Sequence, residues 1–121
     1  MSDFKELKAW QKAHALALAV SRAVTASRAS GFAELRSQIT RAAMSIPANI
    51  AEGRGKRSDK EQVRFLRISA GSAYELEAHL TMARDLEYIE KVRANRLIDQ
   101  LQEVRKMLFG LIKYLEGDNK A

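Results

Sequence analysis

Residues 45–61, "SIPANIAEGRGKRSDKE", contain the features that decide the fold. Pro47, the only proline in the chain, lies inside an otherwise helical pattern, and Gly53 and Gly55 follow it. Proline has no N–H to donate to the carbonyl four residues earlier, and its ring crowds that carbonyl. We therefore expect a helix that bends at Pro47 and ends at the glycines. The alternative is that the carbonyl of Ala43 meets a side-chain or water donor in a buried polar patch.

On either side of this stretch, apolar residues recur every three or four positions, which is the spacing of one face of an α-helix. Helix 2 is predicted from about Ala33 to Glu52. A capping box formed by Ser58 and Glu61 begins helix 3, which is predicted to end around residues 86–88. The apolar stripes consist of Leu35, Ile39, Ala42, Ala43, Ile46 and Ile50 in helix 2, and of Leu66, Ser69, Ala73, Leu76, Leu80 and Ala83 in helix 3.

The outer parts of the chain have the same periodicity. Helix 1 is predicted to begin after Asp3, with Glu6 completing a capping box, and to stop near Gly31. Long helices with short connections pack antiparallel to their neighbours, so we predict an all-α fold, an antiparallel up-down four-helix bundle, as a single domain over residues 1–121. The stripes here are Phe4, Leu7, Trp10, His14, Ala17, Val20 and Val24 in helix 1, and Leu97, Leu101, Val104, Leu108, Leu111 and Leu115 in helix 4.

The composition narrows the classes of function. The chain has 121 residues and a net charge of +6, and its pI of about 9.8 favours polyanionic partners. The absence of cysteine excludes disulfides, thiolate nucleophiles and cysteine-based metal sites. No stretch of ~20 apolar residues is present to span a membrane. We expect a cytoplasmic protein without a membrane partner.

Most of the net positive charge lies in one segment. Between residues 53 and 67, six basic residues face two acidic ones, which leaves a local charge of +4. Together with the N–H groups at the start of helix 3, these side chains are suited to nucleic-acid phosphates, and the alternative is a solvated loop. No aromatic residue interleaves the basic residues from 54 to 64, so stacking on bases is not indicated. This basic cluster consists of Arg54, Lys56, Arg57, Lys60, Arg64 and Arg67.

A polar stripe runs beside the apolar stripe of helix 2, and helix 3 has a similar one. If the two stripes face each other, Arg41 pairs with Glu75 or Glu52 and Asn49 pairs with a serine, since buried polar groups need hydrogen-bond partners. The alternative is that both stripes are solvated. The predicted polar patch consists of Arg41, Ser45, Asn49, Glu52, Ser72 and Glu75.

Residues 42–51 of helix 2 are apolar on nearly all sides of the helix. A helix that is apolar all round is normally covered on all sides, whereas each helix of a lone four-helix bundle has a wet face. This stretch therefore predicts an interface between subunits.

No catalytic or metal-binding pattern is present. A di-metal bundle needs Glu-x-x-His on two helices, but Glu75 and His79 are four residues apart and Gln11 occupies the position three residues before His14. The "GRGK" sequence lacks the spacing of a phosphate loop. We expect no enzymatic activity, no cofactor and no metal.

Four segments carry a family resemblance: "FKELKAWQKAHALA", "QITRAAMSIPANIAEGRGKRS", "FLRISAGSAYELEAHLTMARDLEYI" and "KMLFGLIKYL". Together they resemble the four-helix-bundle proteins of the ribosomal-RNA intervening-sequence family, to which the accessory variability protein of diversity-generating retroelements is related. The resemblance covers nearly the whole chain. One departure is Glu87, where the family often has glycine, and it affects a turn.

The resemblance implies a left-handed up-down bundle that assembles as a homopentamer, a ring of five subunits, with no established enzyme activity. Some members of the family are encoded within inserts in large-subunit ribosomal RNA genes, and the related accessory protein binds nucleic acid and a reverse transcriptase. Two functions remain open for this chain. It is either an oligomer that binds the backbone of RNA or DNA through a basic surface, or a ring-shaped scaffold for a protein partner with no nucleic-acid role.

Overall fold

Four long helices account for most of residues 3–117, the part of the chain that the computed structural model describes. Contacts join α1 to α2, α2 to α3, α3 to α4 and α4 back to α1, so the helices form a square and run up and down in turn. The predicted all-α four-helix bundle is confirmed. A short 3₁₀ turn, Phe4–Glu6, precedes the helices α1 (Lys8–Ala26), α2 (Ala33–Arg54), α3 (Asp59–Asp85) and α4 (Lys91–Leu115).

The two predicted helix starts are each partly confirmed. The capping box of Asp3 and Glu6 is present, but it caps the 3₁₀ turn; the extended residue Leu7 follows, and α1 begins only after it. At α3, the Ser58 hydroxyl accepts from the N–H of Glu61 at 3.1 Å, as an N-cap does. The Glu61 carboxylate accepts instead from the Arg64 side chain.

The apolar stripes predicted for α2, α3 and α4 point into one shared hydrophobic core. All six predicted residues of α3 are buried, as are five of six in α2 and four of six in α4. The exceptions, which are partly buried against the core, are Leu35, Leu111 and Leu115.

The stripe predicted for α1 is wrong at His14, and in its first half Leu7, Trp10 and Ala17 are only partly buried against the core. Trp10 is only half-buried, and His14 is exposed with its ring stacked on Trp10 at a centroid distance of 4.7 Å. Small inward-facing side chains allow α1 to pack closely against its neighbours, since the distance between helices depends on the side chains at the contact. The face with Trp10 and His14 lies beside α2 at the edge of the core, with Trp10 packed against it. The core face consists of Ala9, Ala13, Leu16, Val20, Ala23 and Val24.

Tyr88 links the α3–α4 connection to the end of α1 by hydrogen bonds. Its hydroxyl donates to the carbonyl of Val24 at 3.3 Å, and its own carbonyl accepts from the Ser27 hydroxyl at 2.7 Å. The preceding residue, Glu87, has φ 61, a left-handed conformation that glycine adopts most easily. As expected, Glu87 lies in a turn.

Helix α2 continues through Pro47 to Arg54. The fully buried Ser69 of α3 donates its hydroxyl to the carbonyl of Ile46 at 2.8 Å, directly before the proline. The carbonyl that receives this inter-helix donor is thus that of Ile46, not that of Ala43. A side chain of α3 is hydrogen-bonded to α2 at the point where proline interrupts the helix.

Gly53 does not end α2, contrary to prediction, because it is buried inside the last turn of the helix. A Cβ atom at Gly53 would lie 3.0 Å from the Cβ of Phe65 and 3.1 Å from the carbonyl oxygen of Gln62. Gly55 follows as the C-cap, with φ −82, which any residue adopts. Gly53 is thus needed for the close approach of α3, and not for its conformational freedom.

We predict that Gly53→Ala lowers the free energy of unfolding by about 1–3 kcal/mol, because the added methyl group overlaps atoms that belong to or adjoin the α3 backbone. Gly110→Ala is the matched control, since a Cβ at Gly110 in α4 meets no atom within 4 Å. The control is expected to gain up to about 1 kcal/mol from helix propensity. Urea unfolding measures both; equal midpoints for the two variants would contradict the close contact.

Candidate nucleic-acid interface

The basic cluster lies where α2 ends and α3 begins, joined by residues 55–58. Because the helices alternate in direction, the start of the chain and the end of α4 lie at the same end of the bundle. Arg54 and Lys56 are half-buried, and the other four side chains, Arg57, Lys60, Arg64 and Arg67, are exposed. The structure thus places the whole cluster on one end of the bundle.

Three side chains of the cluster, Lys56, Arg64 and Arg67, form ion pairs with carboxylates among residues 3–117. Two of the partner carboxylates, Glu52 and Glu116, lie outside residues 53–67, and one of these belongs to the end of α4. Six basic groups against four carboxylates leave a local charge of +2, compared with the +4 counted along the sequence. The pairs are Lys56–Glu52 at 3.8 Å, Arg64–Glu61 at 3.3 Å and Arg67–Glu116 at 2.7 Å.

Arg57 and Lys60 are different, since both are exposed and neither makes an ion pair within residues 3–117. They flank the Ser58 cap at the start of α3, where backbone N–H groups and the helix dipole favour an anion. The paired cations nearby are exposed enough that each ion pair is worth no more than about 1 kcal/mol, so a phosphate can exchange with the carboxylate.

An aromatic ring lies among the cations, which sequence reasoning missed. The ring centre of Phe65 is 4.9 Å from the Lys56 ammonium nitrogen and 4.5 Å from the Arg64 guanidinium carbon. Phe65 lies one residue beyond the segment searched for interleaved aromatics, and its proximity to Lys56 arises only when α3 packs against the end of α2. The sequence does show an aromatic residue directly after Arg64, and that neighbour could have predicted a contact between a cation and a ring.

A hollow of about 360 Å³ beside the cluster is not suited to phosphate. The carboxylates of Asp59 and Glu116 line it together with Lys60, Val63 and Leu115. Negative side chains repel an anion, so the exposed edge around Arg57 is a better candidate for binding an anion than this depression.

The structure brings together five of the six residues of the predicted polar patch. Arg41 pairs with Glu75 across the two helices at 3.2 Å. The hydroxyls of Ser45 and Ser72 are 2.8 Å apart, and the Asn49 amide donates to the Ser45 carbonyl at 2.8 Å and to its hydroxyl at 3.0 Å.

The patch is half-buried rather than fully buried, since the Arg41 side chain is 63% exposed. Glu52 lies outside it: its side chain is 58% exposed and pairs with Lys56. The polar faces of α2 and α3 therefore do meet. Glu52 instead forms an ion pair with Lys56 of the basic cluster.

A second surface lies on the outside of α1 and α2, and we call it the α1–α2 groove. It has a volume of about 470 Å³. Met44 and Leu18 on its walls are 61% and 42% exposed, which is unusual for large apolar side chains clustered together. Its lining is formed by Phe4, Trp10, His14, Ala17, Leu18, Ser21, Met44, Pro47, Ala48 and Ala51.

The described part of the chain has neither a metal-binding group of side chains nor a membrane-spanning helix. Among residues 3–117, no three His, Cys, Asp or Glu side chains are grouped so that they could hold a metal ion. None of the four helices is long and apolar enough to cross a membrane.

Comparison with known proteins identifies the family. The sequence model of the 23S rRNA-intervening sequence protein family matches residues 5–110, which is most of the chain. This four-helix bundle therefore belongs to the 23S rRNA-intervening sequence protein family. A search of curated proteins finds no match.

A solved structure supports the same fold. The crystal structure of a protein with unknown function from the S23 ribosomal protein family of Bacteroides thetaiotaomicron is similar, with a TM-score of 0.81 and 25% sequence identity. The similarity covers 87% of this chain and 98% of that one.

We predict that Asn49→Leu lowers the free energy of unfolding by about 1 kcal/mol, because it removes the hydrogen bonds to Ser45 in a half-buried patch. Glu52→Leu, three residues nearer the exposed end, is expected to change it by less than about 0.5 kcal/mol. Chemical denaturation of both variants measures the difference. An unchanged denaturation midpoint for Asn49→Leu would show that these hydrogen bonds contribute nothing to stability.

Proposed function

We propose that the protein is a non-enzymatic oligomer that binds the phosphate backbone of RNA or DNA through the basic cluster. The observation that carries this proposal is the pair Arg57 and Lys60, exposed and without ion pairs in the described chain, beside the start of α3. Two exposed cations and a helix N-terminus supply the contacts that phosphates accept from proteins.

The mode of binding follows from what the surface lacks. Phe65 is half-buried and already in contact with Lys56 and Arg64, so it is not exposed as a platform for bases. Binding through phosphates alone tolerates any sequence and weakens as salt rises, because counterions compete. The family name refers to an intervening sequence of 23S rRNA, which supports a nucleic-acid role by analogy, since fold does not determine function.

We predict that Arg57→Glu with Lys60→Glu abolishes most binding. For ~3 phosphates per engaged subunit, the slope of log affinity against log salt is about −2 to −3 in the wild type, and the double variant should be shallower by about 2. Arg96→Glu with Lys106→Glu, two exposed positions on α4, makes the same change in charge away from the cluster.

Salt titrations of labelled RNA and DNA measure all three proteins. No binding by the wild type at ~50 mM salt, where electrostatic contacts are strong, would refute the proposal. Equal losses in both double variants would show that only the overall charge matters.

We also propose that the oligomer forms through the α1–α2 groove, with a second copy of the chain as its occupant and five subunits in the ring. The apolar side of α2 that faces the groove supports this: Met44 is 61% exposed in the single chain, and Ala48 and Ala51 beside it are small enough for a close approach. A ring would repeat the basic cluster around one assembly and raise its avidity.

We predict that Met44→Glu dissociates the oligomer to the monomer mass of 13.6 kDa, because it places a charge within an apolar interface. Val92→Glu is the control: Val92 is 59% exposed, close to the 61% of Met44, but lies at the start of α4 away from the groove. Light scattering at micromolar concentration distinguishes them. A wild type that is already monomeric would refute the assembly.

The groove also favours a second candidate function, in which the protein is a scaffold for a protein partner. In that case the basic charge of this chain serves solubility only. That function is the outcome if the assembled wild type binds neither RNA nor DNA. In either case we propose a cytoplasmic location, in keeping with a chain that has no cysteine.

A further inference from the structure

Two basic side chains, one from the connection between α2 and α3 and one from α3, converge on one aromatic ring. Lys56 comes from the connection after α2 and Arg64 from the second turn of α3, yet both lie over Phe65, at 4.9 Å and 4.5 Å from its centre. Cations are attracted to the electron-rich face of an aromatic ring over such distances. Both cations therefore contact the same ring.

The ring is itself held by the contact between α2 and α3. Gly53 has no side chain, and this permits the Cβ of Phe65 to lie where a Cβ of residue 53 would be only 3.0 Å away. Phe65 is half-buried there, so its orientation is set by packing and not by solvent. A well-packed ring is a more rigid support for the two cations than their own flexible stems.

Each cation also has one carboxylate on its outer side. Glu52 is 3.8 Å from Lys56 and Glu61 is 3.3 Å from Arg64, and both pairs are substantially exposed. A phosphate displaces an exposed carboxylate easily, whereas the contact with the ring beneath remains. The arrangement suits exchange of carboxylate for phosphate without loss of side-chain order.

We propose that Phe65 is a positioning residue for nucleic-acid binding: it orders Lys56 and Arg64 so that both contact the phosphodiester backbone. This inference rests on the proposed nucleic-acid function. Its physical basis is that long basic side chains lose rotamer freedom on binding, and a cation that is already ordered loses less. The ring contributes no charge and no contact with a base.

The test compares Phe65→Leu with Phe65→Tyr, which keeps the ring. We expect Phe65→Leu to weaken binding of labelled RNA and DNA about fivefold at fixed low salt, and Phe65→Tyr to stay within about twofold. Tyr74→Leu is the matched control, because Tyr74 lies under the Arg105 guanidinium at 4.4 Å, outside the basic cluster. It should leave binding unchanged.

A second readout separates positioning from folding. Thermal unfolding and oligomer mass are measured for every variant, and Phe65→Met, which keeps the bulk and loses the ring, replaces Phe65→Leu if that variant unfolds. The Arg64 side-chain N–H resonance should carry an upfield ring-current shift in the wild type and in Phe65→Tyr. The shift should be absent in Phe65→Leu and Phe65→Met.

The outcomes are distinguishable. If the wild type binds and Phe65→Leu binds equally well while folded, the positioning role is refuted and the proposed function stands. If Tyr74→Leu weakens binding as much as Phe65→Leu, the effect is general and the positioning role is again refuted. If the wild type binds neither nucleic acid, the proposed function fails and this inference fails with it.

Discussion

The close contact of α2 with α3 at Gly53 is the constraint on which the rest of the candidate site depends. A side chain at that position would meet the Cβ of Phe65 at 3.0 Å and a backbone oxygen of α3 at 3.1 Å. Along the same interface, Ser69 is hydrogen-bonded to the carbonyl before Pro47, and the hydroxyls of Ser45 and Ser72 meet. Small side chains thus keep the two helices together over their length. The connection between them must then present its basic residues beside the start of α3.

In the basic cluster that results, the protein's own carboxylates partly neutralise the positive charge that would attract anions. Three of the six cations in the basic cluster have carboxylate partners at 2.7–3.8 Å, and these pairs are exposed. Exposed ion pairs contribute little stability and exchange readily, so they restrain the cations without removing them. A single subunit of this kind would bind phosphates weakly and in a salt-dependent way. Repetition of the surface in an oligomer is the simplest route to tighter binding, because it adds no new contact within the subunit.

The sequence predicted the buried face of a helix correctly where the spacing of apolar residues within that helix defines a single face. The stripes from Ile39 to Ile50 and from Leu66 to Ala83 were predicted from periodicity and are buried. The prediction was less accurate in α1, where His14 shares a helical face with Val24 but is exposed, and where Trp10 is only partly buried against the core. Periodicity identifies the apolar faces of a helix, but where a helix has two such faces it does not show which of them is buried in the core. In α1 the alanine face was placed inward because it permits closer packing, and the bulkier aromatic face was left beside α2.

The sequence by itself determined the number of helices, their approximate ends, the inward faces of three of them and the position of the basic cluster. Backbone geometry within a helix is local, so spacing along the chain suffices to predict these features. Only the tertiary structure decided which carboxylates reach the cluster, with Glu116 arriving from the far end of α4, and that Phe65 lies beneath Lys56. It also decided that Gly53 serves a close approach rather than a turn. These are distances between helices, and they are set by the volumes of side chains that meet only after the bundle has packed.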